Sequence, residues 1–165
     1  MTIILDGGST TYAVAPLLAE KRVRVITNSL PVASLFGEIG NVETTVTGGS
    51  IYGRLGILVG PLCEQSFEQV HADLAILGGT GITESGIWNH NALIIAAQRK
   101  MIAAAEHTIF ALDGSKFGRK ALSLTTPFMP QFTIVTDTRP SLVVIMAIHA
   151  AGAKLALAEK KPAHG

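Results

Sequence analysis

The sequence is poor in charged residues, aromatic residues and cysteine, and each shortage narrows what the protein can be. Only 15% of the 165 residues are charged and 5% are aromatic, whereas 48% are hydrophobic. This composition supports one compact domain and excludes a chain that is disordered throughout. The single cysteine, Cys63, excludes an internal disulfide framework and a multi-cysteine metal site. It fits a reducing compartment, and we expect a cytoplasmic protein.

The sequence also lacks an excess of charge of one sign and a long apolar run. Thirteen Lys and Arg against twelve Asp and Glu give a net charge of +1, so the chain has no basic field that would hold nucleic acid through its phosphates. The uninterrupted apolar run at residues 142–148 is far shorter than the roughly 20 residues that span a bilayer. The mean hydropathy of +0.41 is better explained by an apolar face shared with another copy of the chain, and we expect a homo-oligomer without membrane contact.

Short apolar runs alternate along the chain with longer segments of helical spacing. This pattern predicts an α/β fold, an open and mainly parallel sheet with helices on both faces. The predicted strands cover residues 2–5, 23–27, 42–47, 73–77, 108–112, 132–136 and 153–156. The predicted helices cover residues 10–21, 29–39, 60–70, 91–105 and 141–151. Ser29, Pro31 and Gly40 suit the cap, first turn and end of the second helix.

Almost every predicted strand is followed by a small polar or glycine-rich cluster. The carboxyl ends of parallel strands open on one edge of a sheet, where ligands bind in open α/β folds. We therefore expect six clusters to converge on one cleft. They are Asp6-Gly7-Gly8-Ser9-Thr10-Thr11, Thr27-Asn28, Thr47-Gly48-Gly49, Gly78-Gly79-Thr80-Gly81, Asp113-Gly114-Ser115-Lys116 and Thr136-Asp137.

The first of these clusters favours binding of an anion. Gly7 and Gly8 allow positive φ angles, Ser9 and Thr10 can cap the helix that follows, and the free N–H groups of its first turn suit a phosphate. Asp6 is negative, so we expect it to brace the loop or to accept a hydrogen bond from a ligand hydroxyl. A tight strand-to-helix turn without any ligand explains this segment equally well.

The cluster at residues 113–116 adds a cation to the same edge. Lys116 can neutralise a ligand anion, while Asp113 can accept hydrogen bonds from hydroxyls. A lysine in a loop is more often a solvated charge, and only its place at this edge favours binding. Known nucleotide signatures fail, because Glu84 replaces the third glycine of a dinucleotide fingerprint that begins at Gly79, and Arg119 replaces the lysine of a P-loop.

The remaining candidate groups point to neither a metal nor a catalytic centre. No pair of the five histidines has the helical spacing of a zinc protease, so we expect no metal and no cofactor. His90 lies near the predicted cleft and can donate to a ligand there, and Trp88 either walls the cleft or packs in the interior. Cys63 is better explained by packing than by nucleophilic work. Ser9 and Ser115 lack an identifiable Ser-His-Asp arrangement, and we predict no catalytic residue.

Taken in order, the clusters resemble the C-terminal effector-sensing domain of DeoR-type transcriptional repressors. The resemblance covers about residues 2–157, and it is specific as an ordered set although each motif is common alone. It implies a fold similar to ribose-phosphate isomerases and CoA transferases, a phosphorylated sugar or related metabolite as ligand, and an oligomeric repressor in the bacterial cytoplasm. The matching motifs are Leu5-Asp6-Gly7-Gly8-Ser9-Thr10-Thr11, Val25-Ile26-Thr27-Asn28-Ser29-Leu30, Thr47-Gly48-Gly49, Leu58-Val59-Gly60-Pro61, Gly78-Gly79-Thr80-Gly81-Ile82, Lys100-Met101-Ile102, Asp113-Gly114-Ser115-Lys116-Phe117-Gly118 and Val135-Thr136-Asp137.

The resemblance also implies which residues form the ligand site. Family members usually carry a run of acidic residues just after the motif asparagine, where this chain has Ala92-Leu93-Ile94, and often an Asp in the glycine-rich loop, where it has Thr80 and Thr83. These departures favour an unusual effector, or one contacted mainly through its phosphate. The predicted ligand-binding residues are Asp6, Gly7, Gly8, Ser9, Thr10, Thr11, Thr27, Asn28, Gly48, Gly49, Gly78, Gly79, Thr80, Gly81, the motif asparagine Asn91, Asp113 and Lys116.

The predicted organisation is a sensor domain at residues 1–158 and a flexible tail at residues 159–165. DeoR-type repressors carry an N-terminal winged helix-turn-helix, whereas this chain starts at the first strand of the sensor, and we expect truncation of a longer regulator. We expect a non-catalytic sensor whose effector regulates DNA binding by that missing domain. One alternative is a sugar-phosphate isomerase-like enzyme on the same fold, with Asp6, Glu84, Asp113 or Asp137 as base. The other is a dimerisation module with a vestigial cleft.

Overall fold

Seven parallel strands form the central sheet of the computed structural model, which describes residues 1–159. In chain order, the strands are β1 (Thr2–Leu5), β2 (Arg24–Thr27), β3 (Glu43–Val46), β4 (Ser50–Tyr52), β5 (Ile57–Val59), β6 (Ala72–Leu77), β7 (Gly81–Thr83), β8 (Gly86–Asn89), β9 (Ala105–Ala111), β10 (Ser123–Thr126), β11 (Phe132–Thr136) and β12 (Lys154–Leu157). The helices are α1 (Ser9–Ala19), α2 (Leu30–Ile39), α3 (Pro61–Glu68), α4 (Ala92–Ala103) and α5 (Leu142–Ala150).

The strand order in the central sheet is β12-β11-β9-β6-β1-β2-β3, and every neighbouring pair is parallel. The chain runs outward from β1 through β2 to β3 and returns to β6 on the other side of β1. From there it runs outward again through β9 and β11 to β12. The direction therefore reverses between β1 and β6. In open α/β sheets, ligands bind beyond the carboxyl ends of the strands at such a reversal.

Two hydrophobic cores cover the two faces of this sheet. Successive strand residues point to opposite faces, so the residues of β1 divide between the cores. Ile3 and Leu5 pack in the core formed with α1 and α2, whereas Ile4 packs in the larger core formed with α3, α4 and α5. Helices on both faces of a mainly parallel sheet confirm the predicted fold class.

The start of α2 follows the expected capping rules. The Ser29 hydroxyl accepts a hydrogen bond from the Val32 N–H at 3.3 Å, and Pro31 lies in the first turn. Gly40 ends the helix with φ 74°, in the left-handed region that favours glycine. These three residues have the positions that the sequence predicts.

The start of α1 differs from the expectation. Gly8 occupies the N-cap with φ 138°, and no side chain of the described part of the chain caps the helix. Ser9 and Thr10 lie inside the first turn, so the prediction that they cap this helix is wrong. A backbone with this φ favours glycine, and a glycine cap leaves the N–H groups of the first turn without a side-chain acceptor.

Two antiparallel units that sequence analysis did not predict pack beside the sheet. β4 and β5 form a hairpin, and β7, β8 and β10 form a three-stranded sheet. Each of these strands has only three or four residues, which is too short to show an alternating pattern. At the start of β8, Gly86 has φ 130°, and a Cβ on it would lie 2.2 Å from the carbonyl oxygen of Thr126.

Among residues 1–159, none of the helices combines the length and the apolar character needed to cross a bilayer. The exposed side of α5 is nonetheless apolar, because Leu142, Val143 and Met146 keep 69%, 62% and 63% of their surface accessible. The predicted flexible tail lies outside the described residues apart from Glu159.

Candidate functional site

A cavity of about 180 Å³ lies beyond the carboxyl ends of β1 and β6, at the reversal of strand order. The segments that follow these strands form two of its walls, and helix α4 and the end of β9 form others. The tip of the β4–β5 hairpin and the end of β8 complete the lining. The lining residues are Asp6, Gly7, Gly8, Ser9, Thr10, Thr11, Leu55, Ile57, Gly78, Gly79, Thr80, Asn89, His90, Ile94, Gln98, Ala111 and Lys116.

The N-terminus of α1 lines this cavity with backbone donors that have no partner among residues 1–159. Tyr12 is the first residue whose N–H bonds within the helix, to the Gly8 carbonyl at 2.9 Å. The N–H groups of the three residues before it therefore have no acceptor inside the helix. These groups and the aligned helical peptides carry partial positive charge. The first turn of α1 thus provides backbone donors suited to an anion.

Gly7 allows the β4–β5 hairpin to approach this loop. A Cβ on Gly7 would lie 2.5 Å from Cγ1 of Ile57, which is too close for any other residue without movement. The hairpin places Ile57 and Leu55 in the cavity lining. The two apolar side chains therefore form the wall beside the donors of α1.

Lys116 lines the same cavity from a short 3-10 turn, Gly114–Lys116, that follows β9. The Asp113 carboxylate accepts the Ser115 N–H at 2.8 Å, and the Gly114 N–H donates to Asp137 Oδ1 at 2.8 Å. The hydroxyl and N–H of Ser115 hold the pKa of Asp113 below its usual range. Within residues 1–159, Lys116 forms no salt bridge, and its ammonium group is free to pair with a ligand anion.

Asp6 is buried at the floor of the cavity, with 2% of its surface exposed. Its Oδ1 accepts the Gly7 N–H at 2.8 Å, and its Oδ2 accepts Nε2 of Gln98 at 2.7 Å and the Gly78 N–H at 3.4 Å. Burial raises the pKa of Asp6 to about 6, although these hydrogen bonds act in the opposite direction. The carboxylate therefore connects the loops after β1 and β6 to helix α4.

A chain of side-chain hydrogen bonds continues from Asp6 along the cavity wall. Nδ2 of Asn89 donates to Oε1 of Gln98 at 3.3 Å, and the Thr80 hydroxyl donates to Oδ1 of Asn89 at 3.2 Å. The same hydroxyl lies 2.9 Å from Nδ1 of His90. The polar side of the cavity is thus one connected network.

The structure places many of the predicted site residues on this one cavity. They are Asp6, Gly7, Gly8, Ser9, Thr10, Thr11, Gly78, Gly79, Thr80 and Lys116. The first, fourth and fifth of the predicted clusters therefore contribute residues to one cavity at the carboxyl edge of the sheet. Ligand binding by these residues stays a prediction.

Three predicted residues near the end of β2 and beyond β3 lie outside the cavity lining. The Thr27 hydroxyl donates to the Leu5 carbonyl at 2.6 Å, and Nδ2 of Asn28 donates to the Leu58 carbonyl at 2.9 Å. The Gly48 N–H donates to the Ser66 hydroxyl at 3.3 Å. These contacts connect the sheet, the hairpin and α3 beside the cavity.

The other four predicted residues outside the lining shape nearby turns. A Cβ added to Gly49 would lie 2.6 Å from the carbonyl oxygen of Val59. A Cβ added to Gly81 would lie 2.1 Å from the carbonyl oxygen of Arg119. Asn91 caps α4 by accepting two backbone N–H groups, and Asp113 caps the 3-10 turn. For all seven residues outside the lining, ligand contact stays a prediction.

Sequence reasoning missed several cavity residues, of which Gln98 had a usable signal. It stands seven residues, or about two helical turns, after Asn91, on a helix that is otherwise mostly apolar at its buried face. Leu55 and Ile57 had no such signal, because their hairpin was not predicted. The remaining missed residues are Asn89, Ile94 and Ala111.

Two other candidates from the sequence have clear contacts. Nε1 of Trp88 donates to the Thr83 hydroxyl at 2.9 Å, and Trp88 is not among the residues that line the cavity. Cys63 is fully buried in the larger core, and burial raises the pKa of its thiol. The packing interpretation of Cys63 is therefore confirmed.

Comparison with protein families tests the resemblance. The family model of the DeoR C terminal sensor domain matches residues 1–138. The chain belongs to this family. The match confirms the interpretation as a DeoR-family sensor domain, which points to a regulator and not an enzyme. The isomerase alternative is therefore not supported.

Individual DeoR-family relatives are transcriptional regulators. The L-fucose operon activator of Haemophilus influenzae is 31% identical over 134 residues, 81% of this chain and 54% of that protein. The putative aga operon transcriptional repressor of Escherichia coli O157:H7 is 35% identical, over 73% of this chain and 45% of that protein. The glycerol-3-phosphate regulon repressor of Escherichia coli K12 is 28% identical, over 89% of this chain and 59% of that protein. The chain thus spans about half the length of these relatives.

Among solved structures, the translation initiation factor eIF-2B of Pyrococcus horikoshii OT3 is similar, with a TM-score of 0.48 and 21% sequence identity. The similarity covers 74% of this chain and 43% of that one.

Proposed function

We propose that this sensor domain binds a phosphorylated sugar or a related phosphorylated metabolite in the cavity at β1 and β6. Binding would regulate a DNA-binding domain joined to it in a longer cytoplasmic regulator. The observation that carries the proposal is the meeting of the α1 N-terminus and Lys116 at one cavity. The backbone donors and the ammonium group together form a binding site for a dianionic phosphate.

The charge of the cavity lining supports a phosphate over a cation or a neutral ligand. Within the described residues, Asp6 is the one carboxylate of the lining, and both of its oxygens already accept hydrogen bonds. Lys116 and the α1 dipole face the cavity with positive charge. An anion would therefore gain charge-assisted hydrogen bonds without meeting an unpaired negative group.

The rest of the lining supports a ligand with a polar carbon skeleton. Thr80, Asn89 and His90 offer a hydroxyl, an amide and an imidazole, and Leu55 and Ile57 offer apolar surface. One relative represses a regulon named for glycerol 3-phosphate, itself a small hydroxylated phosphate ester. A mixture of polar and apolar groups around an anion site is what such a metabolite requires.

Regulation would follow from unequal affinity for two arrangements of the regulator. A ligand shifts such an equilibrium only by the difference in its binding free energy between the two states. The cavity touches segments from both halves of the sheet, so its ligand affinity depends on how the two halves are placed. We propose that this dependence transmits binding to the DNA-binding domain.

A thermal-shift panel tests the proposal. Sugar phosphates and their unphosphorylated counterparts are added at millimolar concentration, and only the phosphorylated compound that fits is expected to raise the melting temperature. Lys116→Met is expected to weaken that compound about tenfold or more, since a charge-assisted hydrogen bond is lost. Lys120→Met is the matched control, because Lys120 lies over the Trp88 ring and not in the cavity lining. No response to any phosphate would contradict the proposal.

We also propose that the chain assembles as a homo-oligomer. The exposed apolar side chains of α5 support this, because an uncharged helix face of this kind is more favourable against a second copy than in water.

A further inference from the structure

The direction of the hydrogen-bond network in the cavity is fixed by groups that only accept or only donate. An ionised carboxylate only accepts hydrogen bonds, so the Gln98 atom at 2.7 Å from it is the amide nitrogen. The same nitrogen lies 3.0 Å from the Gly78 carbonyl oxygen, which also only accepts. Both amide hydrogens of Gln98 are therefore used, and its oxygen faces Asn89.

The orientation of Asn89 is fixed from two sides. Its nitrogen donates to the Gln98 oxygen at 3.3 Å. Its oxygen lies 2.8 Å from the backbone N–H of His90, a group that only donates. These two contacts are independent and they require the same orientation of the amide.

The Thr80 hydroxyl has one hydrogen and two neighbours. The Asn89 oxygen at 3.2 Å only accepts, whereas Nδ1 of His90 at 2.9 Å accepts or donates according to the tautomer. If the hydrogen pointed to His90, lone pairs of Thr80 and Asn89 would face each other. Both contacts are satisfied only when Thr80 donates to Asn89 and the Nδ1–H of His90 donates to Thr80.

Neutral His90 therefore carries its hydrogen on Nδ1 and leaves Nε2 as an acceptor. The hydrogen bond at one ring nitrogen decides the role of the other. Within residues 1–159, Nε2 of His90 has no hydrogen-bond partner, and His90 lines the cavity.

We propose that His90 determines specificity by accepting a hydrogen bond from a ligand hydroxyl through Nε2. Asp6, Gln98, Asn89 and Thr80 act as positioning residues, through four consecutive hydrogen bonds. This inference rests on the proposed function for its ligand class, a phosphate ester with a hydroxyl near the phosphate. The phosphate binds at α1 and Lys116, and the hydroxyl is read by His90.

The tautomer is measured without any ligand. Nitrogen-15 chemical shifts of the His90 ring, assigned by their loss in His90→Gln, are recorded at a pH where the imidazole is neutral. We expect a protonated Nδ1 and an unprotonated Nε2. Thr80→Val removes the acceptor at nearly constant shape and is expected to mix the two tautomers, whereas Thr80→Ser is expected to keep the Nδ1–H form. A protonated Nε2 in the wild type, or no change in Thr80→Val, would overturn the proposal.

The far end of the network is tested by Asp6→Asn. An amide in this place can donate to Gln98 as well as accept from it, but the Gly78 carbonyl still fixes the Gln98 amide and the His90 N–H still fixes the Asn89 amide. The Nδ1–H form of His90 is therefore expected to persist in Asp6→Asn. Mixed tautomers in folded Asp6→Asn would overturn the claim that these two backbone groups fix the direction of the network. If this buried variant does not fold, the pair of Thr80 variants decides the question alone.

Binding measurements test the hydroxyl contact. Glycerol 3-phosphate and propyl phosphate share the phosphate and chain length, and only the first carries hydroxyls. We expect the wild type to prefer glycerol 3-phosphate by about tenfold, the value of one good hydrogen bond. The preference is expected to fall toward one in His90→Phe, whose ring has no polar atom, and to persist in Thr80→Ser. Equal preference in all three proteins would overturn the role of His90. No binding of either ester would overturn the proposed function instead. The nitrogen-15 shifts of the His90 ring would then still test the hydrogen-bond network, because they are measured without a ligand.

Discussion

At the scale of single residues, Asp6 lines the cavity and also makes the stability of the fold depend on pH. Burial raises its pKa from 3.8 to about 6. Between these two values the folded state holds a proton that the unfolded chain has released. The contribution of Asp6 to the free energy of unfolding therefore falls as pH rises through this window, by about 3 kcal/mol, and stays low above it.

Urea unfolding from pH 4 to pH 7 measures this effect. The unfolding free energy of the wild type, relative to that of Asp6→Asn, is expected to decrease as the pH increases, since the amide does not titrate. All other titrating groups are common to both proteins. A difference that is independent of pH would show that Asp6 keeps its ordinary pKa in the folded state.

Residue identity at the cavity was predictable where a residue follows a strand of the central sheet. Gly7, Thr80 and Lys116 belong to such segments, and parallel strands bring their carboxyl ends to one edge whatever the details of packing. Thr27 and Asn28 also follow a strand, yet they are buried and bond to neighbouring backbone. The Asn28 amide bonds to the Leu58 carbonyl of the β4–β5 hairpin, which the sequence did not reveal, whereas the Thr27 hydroxyl bonds to the Leu5 carbonyl of β1.

At the scale of elements, the three-stranded antiparallel sheet depends on a glycine at its tightest contact. Gly86→Ala is expected to destabilise the protein by roughly 2–4 kcal/mol, because the added Cβ meets the Thr126 carbonyl oxygen and the φ of 130° disfavours any side chain. Gly37→Ala is the matched control. It lies exposed in α2, where a Cβ would have no heavy atom of another described residue within 4 Å apart from its own helix and chain neighbours, and a gain of about 0.5–1 kcal/mol is expected.

Thermal or urea unfolding of both variants gives the comparison. If the Gly86→Ala protein were as stable as Gly37→Ala, the backbones of β8 and β10 would be able to move apart at Gly86 without loss of unfolding free energy, which would contradict the prediction.

Elements with strong local signals were predicted, and those held only by tertiary contacts were not. α2 has a cap, a first-turn proline and a terminal glycine, and each of the three acts locally. The β4–β5 hairpin instead packs its Ile57 against Gly7, a residue far away in the sequence. Strands of three residues carry too little periodicity to be distinguished from loops. The cavity wall that the hairpin forms could therefore not be predicted from sequence patterns.

At the scale of the whole molecule, α5 exposes an apolar face that the fold itself does not cover. We expect the chain to sediment as a dimer or larger assembly, and Met146→Glu to shift it to the monomer, because an unpaired buried charge is costly at an interface. Leu17→Glu on α1 is the control, since Leu17 is equally exposed but lies on a different helix. Analytical ultracentrifugation at micromolar concentration measures all three proteins. A wild type that sediments as a monomer would refute the expectation.

The reversal of strand order between β1 and β6 has a mechanical consequence. Within the central sheet, this parallel pair alone joins the part that contains β2 and β3 to the part that contains β9, β11 and β12. A metabolite that contacts the loops after both strands would hold these two parts of the sheet together. Amide hydrogens of β1 and β6 should then exchange more slowly with solvent in the occupied protein, while those of the outer strand β12 keep their rate.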